Sequence, residues 1–445
     1  MPADVGRPLS PEDLAILALE NETVAGHTCK VIVLRDGLDP GRLRASIAGR
    51  LHRAPLLSMR LAEVGGAAWW VPDGHVDVAA HVVQASPPET ADDAGYRATV
   101  ADIFQKHLDR SRPLWQIDVI PRLPGGGSAL TWRIHHALAD GSTAMQMASS
   151  VLWDDQPATG AGTAAGSAAT RSRRGAAAAR PAARPKGGLG PVAHHRLEGL
   201  RAAAREAPQP WLRSPFDGHI DGRRAVAFAT IGLDDLHQAA RAGGATVNDA
   251  VLTVVAGGVR RWLEAHHGHL GALRVKVPVS LHGLTVPHGH DDEQPGNRDS
   301  FFCLDLPLGS ADPLERMAAV QRATRIRKQG HDAQHLDALL RQLARTPRLS
   351  HFVERVLTHP RSFALNVSNV LGPRQPVRVL GVPVQAMYSL AEIGEHHALR
   401  VAVVSLAGHL NFGLVADPTL LADVDHLAGA VHAEAAALTA SMPGV

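Results

Sequence analysis

The segment from Thr131 to Thr143, TWRIHHALADGST, sets two adjacent histidines, His135 and His136, just ahead of the pair Asp140-Gly141. An imidazole titrates near neutrality, so a histidine at the end of a strand can take the proton of a hydroxyl as that hydroxyl attacks a carbonyl. Adjacent strand residues point to opposite faces, so one of the pair can serve a given cleft and the other cannot. Leu130, Trp132, Ile134 and His136 share one parity, which assigns the base to His136 and leaves His135 to brace the turn through hydrogen bonds. Asp140 can cap the following helix, and Gly141 lets the chain turn tightly. A hydrogen-bonded core pair beside a capped helix fits the same residues, and His-His recurs at His194-His195, His266-His267 and His396-His397.

Other stretches promise less. HGHDDE, His288 to Glu293, offers ligand types in a polar loop without fixed geometry, so no metal is expected. LPGGGS reads as a turn, since no GK[ST] follows it. Cys303 reads as a packed strand residue, and Arg322, Arg325 and Lys328 as a solvated helix face.

The elements that must position the histidines follow from local pattern. PLWQIDVI and ALTWRIHH flank the turn PRLPGGGS and predict a hairpin leading to His135. Ala144, Met147, Ala148 and Val151 recur at helical spacing after Asp140, so the histidines fall at a strand-to-helix junction. Ser10-Pro11 and Asp39-Pro40 each start a helix, as does Asp312-Pro313. ATVNDAVLTVVAGGVRRWLEA predicts a buried helix, and DVDHLAGAVHAEAAAL a closing one. RVKVPVSL, FFCLDLPL, FALNVSNV, VRVLGVPV and LRVAVVSLAG each predict a strand. The expected division is a lobe over residues 1–155, an Ala/Arg/Pro-rich linker over 156–205 and a second lobe over 206–445, both lobes α/β with mixed sheets.

Composition narrows the function classes. The chain has 445 residues, 45% of them hydrophobic, enough for a sizeable core. A formal net charge of +2 and 4% aromatics argue against nucleic acid as a partner. Cys29 and Cys303 form no CxxC spacing, which fits reduced thiols in a cytoplasm. No run of about 18 apolar residues and no apolar segment behind a basic start predicts a membrane span or a secretion signal.

HHALADG matches the HHxxxDG motif of the CoA-dependent acyltransferase superfamily, and its surroundings resemble the wax ester synthase/diacylglycerol acyltransferase family. PLWQIDVI, with Pro113, Leu114 and Trp115, resembles one family block, and TVNDAVLTVVAGGVRRWL, with Asn248 and Asp249, another. VPVSLHG, PGNRDSFFCLDLP with Gly296-Asn297-Arg298, NVSNVLGP and LNFGLVADP follow in the family's order. One departure stands out: the family's SNVPGP reads Ser368-Asn369-Val370-Leu371-Gly372-Pro373 here, and leucine frees the backbone that proline would fix.

The resemblance implies an α/β, two-lobed, chloramphenicol acetyltransferase-like fold with an active-site tunnel between the lobes. It implies His136 as general base, with His135 beside it, and Asp140 orienting the motif through an arginine, for which Arg60 is the candidate. Asn248 would position the acceptor or the oxyanion, or else cap its helix; Ser368, Asn369 and Gly141 would line the substrate, and Pro113, Leu114 and Trp115 would be structural. Expected partners are acyl-CoA and a fatty alcohol or diacylglycerol, with no cofactor, no metal and no covalent intermediate. A peripheral place on a membrane or lipid droplet is expected with them. Two alternatives remain at this stage: a polyketide- or peptide-associated acyltransferase fed by a carrier protein, and a non-catalytic lipid-binding member of the fold.

Overall fold

Strand β7 carries the motif histidine His135 at its end, and the surrounding topology explains why that end is buried. The computed structural model describes residues 6–86, 92–155, 201–206, 214–280, 299–330, 334–336 and 362–442. Its strands, in chain order, are β1 (Arg7–Pro8), β2 (His27–Leu34), β3 (Met59–Val64), β4 (Ala67–Pro72), β5 (Val82–Gln84), β6 (Trp115–Ile120), β7 (Ser128–His135) and β8 (Ala225–Gly232). There follow β9 (Ala272–Ser280), β10 (Asp299–Pro307), β11 (Leu365–Val370), β12 (Arg378–Val379), β13 (Val382–Ala391), β14 (Leu399–Leu406) and β15 (His409–Ala416). They form a small sheet β1-β4-β3 and two six-stranded sheets, β12-β13-β2-β7-β6-β5 and β10-β9-β11-β14-β15-β8. Each large sheet is mixed: β5 runs parallel to β6, and β11 runs parallel to β9 and β14.

The predicted hairpin is present as β6 and β7, which pair antiparallel with Trp115 opposite Ile134. Every residue of β7 is buried because both faces of its sheet are covered. Leu130, Trp132 and Ile134 join the apolar cluster under the helix Gly141–Val151, while Ala129 joins Val100 and Phe104 of the helix Asp93–Phe104. In the second lobe the helix Val247–His266 lies across the sheet with Val251, Val254, Val255 and Val259 fully buried.

The first lobe does not end near residue 155, as linear order suggested. β12 and β13 come from the C-terminal part of the chain yet pair into the N-terminal sheet, β13 running antiparallel to β2 with Ser389 opposite Lys30. Hydrogen-bonding partners on a sheet edge are chosen in space, and β2 offers an edge that a distant segment fills. VRVLGVPV is also two strands, not one: Leu380 and Gly381 have φ of 53° and 84°, a tight hairpin turn whose two N–H groups donate to Asp154 at 2.8 and 2.6 Å. The linker expectation needs the same kind of correction at its end. Residues 201–206 are helical, and Glu206 is buried against Arg274 and Arg327 while accepting from the Cys303 N–H. Residues 156–200, HGHDDE and Gly296-Asn297-Arg298 lie outside the described residues. Among the described residues no single helix is long and apolar enough to cross a membrane.

Candidate active site

The site is built where β7 gives way to the helix Gly141–Val151. The His135 N–H donates to the Leu114 carbonyl at 3.0 Å, and the His136 N–H donates to the Gly26 carbonyl at 2.9 Å. The Pro113-Leu114-Trp115 block therefore holds the end of the histidine strand directly. Trp115 is anchored in turn, its indole N–H donating to Leu57 and its carbonyl accepting from His81.

His135 is 1% exposed and turns inward. Its Nδ1 accepts the Ala137 N–H at 3.1 Å, so the proton sits on Nε2, which donates to Glu20 Oε2 at 3.1 Å. Burial pushes the Glu20 carboxyl up, but the bonds from His135 and Arg110 outweigh it and hold the pKa at about 2. Glu20 carried no signal in the sequence; it belongs to none of the motif blocks. His135 is thus a brace whose free valences are spent, as its parity suggested.

His136 is half-buried. Desolvation first, and then the guanidinium of Arg400 on β14, lower its pKa to about 4; the charge of Asp140 pulls weakly the other way. Its imidazole is therefore neutral at physiological pH, the form that accepts a proton.

Asp140 is the N-cap of the helix Gly141–Val151, with Oδ1 accepting from the Thr143 N–H at 2.7 Å and from the Ser142 hydroxyl at 2.8 Å. The expected pairing with Arg60 is not made. Arg60 lies on β3 in the small sheet, and its guanidinium reaches only the Leu61 carbonyl, at 3.4 Å. A cation whose charge couples to Asp140 is Lys30 on β2. Lys30 is 2% exposed, donates to Ser389 Oγ at 2.7 Å, and has its pKa pushed down to about 8, chiefly by burial. A lysine inside the apolar run HTCKVIVL was the available signal for it, as Arg400 in LRVAVV was for the other cation.

Gly141 is one place where the lobes touch: a Cβ there would stand 3.0 Å from Val370 Cγ2 on β11. The next residues of that strand carry the second polar group. Asn369 Nδ2 reaches Asn248 Oδ1 at 3.5 Å, which brings two of the expected site residues together. Asn248 does not cap its helix. Thr246 does, in a capping box with Asp249, so the asparagine amide at the second helical position is left to face Asn369. Ser368 is half-buried on the opposite face of β11 from Asn369, on the side of Val370. At the departure from the family block, Leu371 is 80% exposed, and Gly372 donates its N–H to Ser405 Oγ while a Cβ there would strike the Ser405 carbonyl. The glycine, rather than a proline, holds this turn.

The fold defines the class first. The solved wax ester synthase/diacylglycerol acyltransferase from Marinobacter aquaeolei VT8 superposes with a TM-score of 0.69 at 21% identity, over 97% of this chain and 98% of that one. A starter condensation domain of rhizomide synthetase gives 0.57 at 14% identity over 97% and 94%. Polyketide synthase associated protein 5 from Mycobacterium tuberculosis gives 0.54 at 16% identity over 96% and 97%. The architecture is that two-lobed fold. Sequence then narrows it: the model of the wax ester synthase/diacylglycerol acyltransferase catalytic domain matches residues 9–251, and that of the WS/DGAT C-terminal domain matches residues 295–439. The chain belongs to the wax ester synthase/diacylglycerol acyltransferase family and is an acyltransferase. A putative diacylglycerol O-acyltransferase of Mycobacterium tuberculosis is 29% identical over 476 residues, covering 96% of each chain. A probable diacylglycerol O-acyltransferase of the same organism is 28% identical over 389 residues, 84% of this chain and 82% of that one.

Proposed function

We propose that the protein transfers a fatty acyl group from acyl-CoA to a fatty alcohol or a diacylglycerol, with His136 as the general base. The carrying observation is the placement of His136 directly after β7 and within electrostatic reach of Arg400 on β14 of the other sheet, where burial and that charge keep its imidazole neutral. His136 takes the proton of the acceptor hydroxyl as its oxygen attacks the thioester carbonyl. The tetrahedral intermediate carries its negative charge on the former carbonyl oxygen, to be met by amide donors from the Asn248–Asn369 pair or, from the other face of β11, by the Ser368 hydroxyl. Collapse expels CoA as the thiolate, which recovers the proton from the imidazolium. The thioester is already activated, so the reading requires no metal, redox cofactor or acyl-enzyme. A tunnel between the lobes would admit acyl-CoA from one side and the acceptor from the other.

The test is thiol release by the purified protein from acyl-CoAs of increasing chain length, with fatty alcohols, monoacylglycerols and diacylglycerols offered as acceptors and products identified by mass. No transfer to any of them would remove the lipid reading, and transfer from a carrier-protein thioester alone would install the polyketide-type alternative.

Attachment to a lipid surface belongs to the same reading. Arg171, Arg173, Arg174, Arg180, Arg184 and Lys186 form an acid-free basic stretch, and an anionic surface attracts each such residue by about 1 kcal/mol. Replacing the six with glutamine is expected to weaken flotation with anionic liposomes in a salt-dependent way and to leave turnover of a detergent-solubilised acceptor unchanged. Equal flotation would make the segment a spacer.

A further inference from the structure

Away from the histidine turn, the C-terminal end of the helix Val247–His266 meets the start of the helix Val424–Ala440, and three ligand-type side chains converge there. His266 Nε2 lies 2.8 Å from Asp423 Oδ2, and His426 Nδ1 lies 3.5 Å from the same oxygen. The candidate donor atoms of the three residues all lie within 4.8 Å of one another.

The remaining atoms fix the tautomer of His266. His266 Nδ1 is 2.7 Å from the Trp262 carbonyl, which can only accept, so the ring proton sits on Nδ1. In a neutral imidazole this leaves a lone pair on Nε2, aimed at a carboxylate oxygen that also offers only lone pairs. Two acceptors at that distance repel unless a cation lies between them. A proton on Nε2 would join His266 to Asp423, and His426 could then donate its own Nδ1–H to the same oxygen; a metal ion in place of those protons would be shared by all three.

The atoms behind the ligands are held as they are in metal centres, where outer partners fix the tautomer and orientation of each ligand. Asp423 Oδ1 accepts from the Trp262 indole N–H at 2.9 Å, and Trp262 stacks on the His266 ring with centroids 4.6 Å apart. One buried tryptophan thus orients both the carboxylate and one imidazole. The neighbouring Arg260 and Arg261 are paired with Glu264 and Glu434, so their charges are compensated. The three side chains are 32%, 40% and 56% exposed, which leaves an entry path and room for water to complete the shell.

We propose that His266 Nε2, Asp423 Oδ2 and His426 Nδ1 bind a zinc ion that clips these two helices together. Two imidazoles and one carboxylate are a donor set suited to zinc. Tetrahedral bonds of about 2.0–2.2 Å set ligand atoms about 3.3 Å apart, so the shorter contact opens by a side-chain rotation as the ion enters. The site is structural. It stands about 27 Å along the helix from Asn248, at 1.5 Å per residue, and is independent of the acyl-transfer reading.

The experiment uses the full chain stripped of metal, titrated with zinc chloride by calorimetry and followed by thermal melting. With 26 histidines in the chain, weak binding elsewhere is expected, so the variant comparison decides. The wild type should bind one equivalent saturably with a rise in Tm, and His426→Gln should weaken that binding at least about tenfold. The double variant His266→Gln/His426→Gln should lose the Tm rise, while His426→Gln keeps full acyl transfer. Absence of saturable binding would leave an imidazolium–carboxylate pair and overturn the proposal. An equal Tm rise in wild type and His426→Gln would overturn it as well. His426 is exposed and bonds through its side chain only within the cluster, so its variant remains informative even if the double variant fails to fold.

Discussion

Gly141 and Val370 meet closely across the lobes: a Cβ on Gly141 would stand 3.0 Å from Val370 Cγ2, so the valine side chain would have to give way to a methyl group. Gly141 opens its helix without a left-handed backbone, so the motif glycine serves the approach of β11 to the histidine turn. Gly141→Ala is expected to lower kcat/KM several-fold by displacing β11 and with it Asn369. Val370→Ala in the same chain should restore much of it, because the clash is with that side chain. Failure of the rescue in steady-state kinetics would show that Gly141 acts through backbone conformation alone.

The two histidines should separate cleanly. His136→Ala is expected to reduce kcat by about 10²–10⁴ with an unchanged Tm, the loss typical of a positioned general base. His135→Ala should instead destabilise the fold by about 1–3 kcal/mol, because it strips a hydrogen bond from the nearly buried Glu20 carboxylate. Thermal melts and kinetics on both variants check this, and wild-type turnover in folded His136→Ala would end the mechanism.

Thr246 and Asn248 stand two residues apart with different duties. Thr246→Ala removes the helix cap and should cost about 1 kcal/mol of stability. Asn248→Ala leaves the cap intact and should lower kcat while Tm holds. A matched loss of Tm in Asn248→Ala would return the asparagine to a structural role.

Acid should weaken the fold through its buried histidines. Burial first, and then Arg133, push His27 down to about 3, whereas its ordinary value is 6.5. Between those values the unfolded chain binds the extra proton, so stability is fully present above about pH 6.5 and is lost as pH falls. Glu20, held at about 2 against an ordinary 4.5, works in the same direction lower down. The urea midpoint is expected to drop between about pH 7.5 and about pH 5, and His27→Gln to shrink the drop; an unchanged midpoint would contradict the assignment.

Much of this was legible in sequence for identifiable reasons. The β6–β7 hairpin and the caps at Ser10, Asp39, Asp140 and Asp312 follow from local patterns of period and capping, which need no knowledge of distant contacts. Glu20 was invisible and Lys30 showed only as a charge inside an apolar run, because their meaning lies in partners 115 and 359 positions away. Arg60 failed as a partner for the same reason: its suitability was one of charge alone, and its strand belongs to a different sheet. Asn248 was ambiguous until Thr246 was seen to occupy the cap.

The placement of β13 between β12 and β2 has a consequence for how the molecule comes apart. A cut anywhere between residues 156 and 200 would separate two polypeptides, yet neither would contain the whole six-stranded sheet of the first lobe. The N-terminal piece would leave β2 with an open rim of unsatisfied amides, and the C-terminal piece would carry the missing ribbon, Arg378 to Ala391, with nothing to join. Co-produced, the pieces should find each other by donor-strand complementation; produced singly, the first should self-associate through that rim. The same interlock makes the two lobes a single cooperative unit, so heat or urea should melt them in one transition.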